Sequence, residues 1–162
     1  SAICSAQEHF CSNLIRQKLI SAIDAFPPGN TEAQATAVLY LPENELHELG
    51  LLYLHYRLKR TGRRSVYLGE SVPVQDLCDI AGQLKGPVDL CSILTMVPHA
   101  ADASAYLTEL STALKAPRLR FHFCGQVLSS MDQGDMPARM NLHPDISAMV
   151  SALDTARKAK KK

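Results

Sequence analysis

The chain has 162 residues, enough for one compact domain or a small domain with an appended element. Hydrophobic residues at 46% and charged residues at 20% exclude a disordered chain, and a formal charge of +1 excludes an overall positive field for gripping nucleic acid. No apolar run reaches the roughly 18 residues of a membrane span, and the opening residues lack the order of a signal peptide. Cys4, Cys11, Cys78, Cys91 and Cys124 are odd in number and never spaced as CxxC. That pattern fits a cytoplasmic, reducing compartment, with neither a disulfide framework nor a cysteine-based zinc site.

The first predicted element is a helix. Ser5 and Glu8 have the spacing of a capping box, and Phe10, Leu14, Leu19, Ile23 and Phe26 recur at nearly helical intervals to predict an apolar face. Pro27, Pro28, Gly29 and Asn30 stop it. A lone helix with such a face needs partners, so residues 1–30 read as the remnant of a truncated helical cap bundle. Residues 31–162 then form a separate α/β domain.

From there strands and helices alternate. Thr36 to Leu41 is a short apolar run of the kind buried on both faces, followed by a predicted helix from Leu46 to Thr61 that Gly62 ends. Strands are predicted at Ser65 to Leu68, Val88 to Met96, Arg118 to Phe123 and Arg139 to Leu142. Helices are predicted at Val74 to Leu84, His99 to Leu114 and Asp145 to Lys158, with a further helix beginning near Gln126. Five βα units predict an open, doubly wound, parallel five-stranded sheet. Strand order is not readable from sequence, and the flavodoxin-like order 2-1-3-4-5 is the one chosen. Lys158 to Lys162 reads as a solvated basic helix end.

Ligands of such sheets bind beyond the carboxyl ends of the strands. The loop after the first strand has neither GxGxxG nor a P-loop, no GxSxG occurs, and the third strand ends without a phospho-acceptor Asp. What this loop offers is Glu45, His47 and Gly50. An imidazole there can ligate a metal, while the carboxylate two residues earlier accepts its other N–H and fixes the tautomer. Gly50 leaves room for close approach of a ligand. A surface histidine beside a glutamate has the same pattern. Ser92 and Leu94 end the third strand and Gly125 follows the fourth, where a missing side chain leaves space for a flat group.

Together these residues resemble the cobalamin-binding domain, with its motifs D/ExHxxG, SxL and GG. The first two are complete, and Cys124-Gly125 stands for the third. The stretches His47 to Leu52 and Val66 to Pro73 resemble the C-terminal sensory domain of MerR-family transcriptional regulators, including light-responsive, adenosylcobalamin-dependent repressors. The resemblance implies that His47 is the lower cobalt ligand of a base-off cobalamin, with Glu45 behind it. It implies a tail channel lined by Ser92, Leu94 and Gly125, which the Cys124 side chain would narrow. Glu8 and His9 match a Glu-His pair above the corrin in that group, although the capping box accounts for Glu8 as well.

The resemblance further implies adenosylcobalamin as cofactor and a homo-oligomer, with no catalytic residue and no membrane. DNA would be bound through a helix-turn-helix region absent here. Two rivals stay open: a corrinoid carrier module of a methyltransferase, and a degenerate fold without cofactor acting in oligomerisation or protein binding. His9 and Asn13 form a polar stripe on the opening helix that faces either water or the crevice above His47, while the apolar face packs on the domain or on missing bundle helices. His55, His99, His122 and His143 read as structural or exposed, and Cys91 and Cys124 as small buried hydrophobes.

Overall fold

The computed structural model describes residues 4–27 and 35–159. The predicted boundary at residues 30 and 31 lies outside the described residues, as do Pro28, Gly29, Asn30 and the last three lysines. Helix α1 spans Ser5–Asp24. Then follow β1 (Thr36–Pro42), α2 (Leu49–Arg60), β2 (Ser65–Val72), α3 (Val74–Gln83), β3 (Val88–Ile93), α4 (Ala103–Ala113), β4 (Leu119–Cys124), β5 (Met140–Leu142) and α5 (Ile146–Ala159). The strands form one parallel sheet, as the βα alternation predicts, and their order is the chosen flavodoxin-like β2-β1-β3-β4-β5. Among the described residues no helix is long and apolar enough to cross a membrane.

Every residue of β1 and β3 is buried, because helices cover both faces of the sheet. Alternation along the strands divides the core in two. Val38, Tyr40, Leu90, Phe121 and Phe123 pack with Leu77, Leu107 and Leu110 of α3 and α4. Leu39, Leu41, Cys91, Ile93 and Cys124 pack with Leu51, Leu54, Met149 and Val150 of α2 and α5. Gly62 closes α2 at φ +71°, its N–H bonding the Lys59 carbonyl at 2.9 Å.

Several boundaries differ from expectation for identifiable reasons. Helix α2 begins at Leu49, not Leu46, because residues 45–48 form a separate bonded turn. Strand β3 stops at Ile93, not Met96, because the Met96 and Val97 N–H groups leave the ladder for Glu45. Strand β2 runs on to Val72 through register shifts, with Gly69 and Ser71 at positive φ. Near Gln126 there is a single 3₁₀ turn rather than a helix.

The apolar face of α1 is not buried as a whole. Ile23 is buried and Phe26 stacks obliquely on Tyr56 at 5.9 Å, but Phe10 is 65% and Leu14 43% exposed. A four-residue step advances about 40° around a helix and a five-residue step about 140°. The step from Leu14 to Leu19 therefore turns the stripe, leaving Phe10 and Leu14 on the back of the helix. The capping box also shifts by one residue. The Cys4 N–H bonds Oε1 of Gln7 at 3.0 Å, while Glu8 accepts from Ser12 Oγ at 2.5 Å.

Candidate functional site

The site is built at the carboxyl end of β1. Beyond Pro42 the chain turns back, with the Glu45 N–H on the Pro42 carbonyl at 2.9 Å. The Glu45 carboxylate is fully buried and accepts four hydrogen bonds. Oε1 takes the His47 N–H at 3.0 Å and His47 Nδ1 at 2.6 Å, and Oε2 takes the N–H groups of Met96 at 2.7 Å and Val97 at 3.0 Å. Burial alone would push this carboxyl up. The three backbone donors and the imidazole outweigh burial and bring it down to about 2, so it is ionised. An anion on Nδ1 keeps a proton on that nitrogen and leaves the lone pair on Nε2. The ring itself is 62% exposed. His47 is thus fixed at its base and open at its tip.

Above this tip lies α1. A cavity of about 570 Å³ is lined by Glu8, His9, Asn13 and Arg16 from the helix and by Leu46, His47, Gly50 and Thr95 from the domain. His9 and Asn13 therefore line the same crevice as His47. The face of α1 that buries Ile23 against the domain is the one that turns its polar residues to the cavity nearer the N-terminus. Arg16 bonds Glu48, whose other oxygen accepts from Tyr67 Oη at 2.9 Å, linking α1 to α2 and β2.

The remaining motif residues lie away from this cavity. Ser92 and Leu94 are sealed from solvent, and Ser92 Oγ has no hydrogen-bond partner among the described residues. Gly125 lines a second cavity, next to Gln126 and His143. At φ +125° any Cβ there would strike the Leu94 carbonyl and stand 2.8 Å from its N and C atoms. This glycine joins the ends of β3 and β4, where the Leu94 N–H bonds the Cys124 carbonyl at 2.9 Å. The Cys124 thiol is pushed up to about 11 by burial and then by the Asp145 charge, in keeping with a small buried hydrophobe. Gly50 does line the His47 cavity, but the room beside it is taken. A Cβ there would meet Ile93 Cδ1 at 3.3 Å.

Sequence reasoning missed Arg16, Leu46, Glu48 and Thr95. A charged residue on a helix carries no signal of its distant partner, and Leu46 sits 62% exposed between two motif residues. It also missed a buried cluster under α5. Asp89 pairs with Arg63 and with Arg120 Nε at 2.8 Å, and His122 Nδ1 meets His143 Nε2 at 3.0 Å. The alternation of these side chains in neighbouring strands was the available clue. Among the described residues no group of three or more His, Cys, Asp or Glu is arranged to hold a metal ion.

No protein-family model matches the chain. It is 36% identical over 110 residues to the HTH-type transcriptional repressor CarH of Myxococcus xanthus, covering 67% of this chain and 35% of the relative. The HTH-type transcriptional repressor CarA of the same organism is 35% identical over 111 residues, covering 68% and 36%. The chain spans about a third of the length of these curated relatives. In structure it is similar to the monomethylamine corrinoid protein of Methanosarcina barkeri, with a TM-score of 0.67 and 18% identity over 90% of this chain and 66% of that one. It is also similar to a cobalamin-binding protein from Desulfitobacterium hafniense, with a TM-score of 0.60 and 21% identity over 76% and 59%. By sequence and fold together, the chain is a CarH-like domain of the architecture found in corrinoid proteins.

Proposed function

We propose that the chain is the cobalamin-sensing part of a cytoplasmic transcriptional repressor. The observation that carries this is the Glu45–His47 pair, which presents a bare Nε2 to a cavity roofed by α1. Relationship to two HTH-type repressors supports the regulatory role, and the corrinoid-protein fold supports the ligand class. His47 would be the lower axial ligand, with the cofactor's own base displaced, and Glu45 would hold the imidazole and raise its basicity. Exposed Leu46 would lie against the macrocycle, and Glu8 and His9 would face its upper side. Gly50 completes the wall. Gly125 and Leu94 hold the strand ends beneath, and the Ser92 hydroxyl lies buried without a hydrogen-bond partner among the described residues.

Adenosylcobalamin, when bound, would supply a photolabile cobalt–carbon bond. The residues of α1 above the cavity would then sense the upper ligand, and the docking of α1 would change what it offers to other copies or segments. DNA would be bound by a helix-turn-helix region outside this chain, in a homo-oligomer, with residues 1–30 acting as part of a helical cap.

The test mixes the purified protein with adenosylcobalamin in the dark and desalts it. Retained cofactor with a base-off, histidine-ligated spectrum that changes on illumination is expected. Loss of all cofactor on desalting would leave the degenerate fold as the better reading. A spectrum that holds its histidine signature but ignores light removes the photosensor while keeping the cobalamin site.

A further inference from the structure

Glu45 ties down Nδ1 of His47, so only Nε2 faces the cavity. A complete cobalamin carries its own base and a phosphodiester on the face of the macrocycle where Nε2 would bind. Once His47 takes the axial position, that tail must be stowed on the protein side. Two sides of the His47 turn come into question for such a tail. The first is at Gly50, between α2 and α5 over β3. There a Cβ on Gly50 would stand 3.3 Å from Cδ1 and 3.7 Å from Cγ2 of Ile93, and 3.9 Å from Ile146 Cδ1. Cys124, the register partner of Ile93 in β4, is buried in the same cluster. The space that the glycine leaves is thus filled to contact by Ile93. Branching at Cβ restricts χ1 of this side chain, which holds Cγ2 in place and leaves only Cδ1 to turn aside.

The second is the other side of the turn. Glu45 closes it by bonding the Met96 and Val97 backbone. The groove of about 580 Å³ beyond is edged by Glu43, Asp102 and Glu109, whose carboxylates repel a phosphodiester.

We infer that Ile93 is a specificity-determining residue: it closes the tail slot, so this chain binds a tail-less corrinoid more tightly than a complete cobalamin. The inference rests on the reading that a corrinoid sits over His47. The tail of a complete cobalamin then stays outside or displaces Ile93, and either outcome weakens binding.

The test is a pair of absorbance titrations of the purified chain, with diaquacobinamide and with aquacobalamin. The wild type should bind the cobinamide at least about ten-fold more tightly, the scale of a pocket side chain that clashes with part of a ligand. Ile93→Ala should reduce that ratio mainly by strengthening cobalamin binding, and the gentler Ile93→Val should shift it part of the way. Wild-type affinities within about three-fold of each other, or a ratio unmoved in both variants, would overturn the closed slot. If His47→Ala then abolished both bindings, the site reading would survive that failure. Retention of neither corrinoid by the wild type would overturn the site reading and this one together.

Discussion

Arg16 of α1 donates its Nε–H to the carboxylate of Glu48, the residue that follows His47. This ion pair joins the helix over the cavity to the turn that carries the imidazole. Arg16 is about half exposed, so the pair is screened and contributes at most about 1 kcal/mol. Arg16→Ala should leave the urea midpoint almost unchanged while speeding amide exchange in α1. Glu48→Ala also strips the acceptor from Tyr67 Oη and should cost more than Arg16→Ala. Equal midpoints for the two variants would show that the Tyr67 bond contributes nothing.

His47 and Glu45 should separate ligation from stability. The His47 ring is mostly solvated, so His47→Ala should barely move the unfolding midpoint, yet it should weaken corrinoid binding and change the visible spectrum. Glu45→Gln replaces a buried anion that accepts four hydrogen bonds, at a cost of about 1–3 kcal/mol. Its effect on affinity should be smaller than that of His47→Ala, roughly 10–100-fold. Unchanged spectrum and affinity in His47→Ala would remove this residue from the site.

At Gly125 the backbone conformation and the contact with Leu94 both exclude a side chain. Gly125→Ala should cost at least about 1–3 kcal/mol from overpacking, before any strain at positive φ. Cys124→Gly, one residue earlier, removes a buried thiol from contact with the α2 and α5 core and should also lower the midpoint. The two variants act through opposite faults, a clash and a void. Urea denaturation of both checks the two losses, and a midpoint unchanged in either variant would contradict the fault assigned to it.

Acid should destabilise the fold in two stages. His55, buried against Tyr67, is held down to about 4 by burial and then by the Lys59 charge. His143 is held down to about 4 by burial and then by His122. Between pH 6.5 and 4 the unfolded chain binds the protons that these folded imidazoles refuse. Stability therefore falls as pH drops through that window, by up to about 1.4 kcal/mol per pH unit for each histidine. Glu45 adds a second loss from about pH 4.5 toward 2, because its folded carboxyl stays ionised below the unfolded value. Urea midpoints measured every half unit should slope downward from pH 6.5. His143→Asn should flatten part of that slope, and a midpoint flat from 6.5 to 4 would contradict both histidines.

The alternation of short apolar runs with helical periods was enough to read the five strands, while their order in the sheet is carried by no local signal and came from the commonest arrangement of such units. A strand such as Thr36–Pro42, buried throughout, leaves few other places in a sheet. The loops were less legible because their geometry is set by distant partners. Nothing local at Met96 says that its N–H leaves β3 for a carboxylate 51 residues earlier. In α1 the spacing suggested one apolar stripe, and only the phase of the Leu14 to Leu19 step reveals two. At the site, Glu45 and His47 were readable because two residues in one turn must interact. Arg16 and Thr95 were not, since the cavity that unites them with His47 exists only once α1 has docked. Gly50 was readable as a missing side chain, but the neighbour that fills its space is 43 residues away in sequence.

The contact between Gly125 and Leu94 bears on how such motifs should be weighed when new sequences are scanned. Leu94 backbone atoms occupy the place of a side chain at position 125, whatever the crevice holds. Selection for a folded sheet alone would keep that glycine through the loss of any cofactor. It marks ancestry of the scaffold. The His47 imidazole is under no such packing obligation, since it stands in solvent, whereas Glu45 beside it is buried and holds the Met96 and Val97 backbone. A descendant that had abandoned its ligand would be free to replace His47 long before Gly125 or Glu45, so the histidine is the position that tracks working chemistry across relatives.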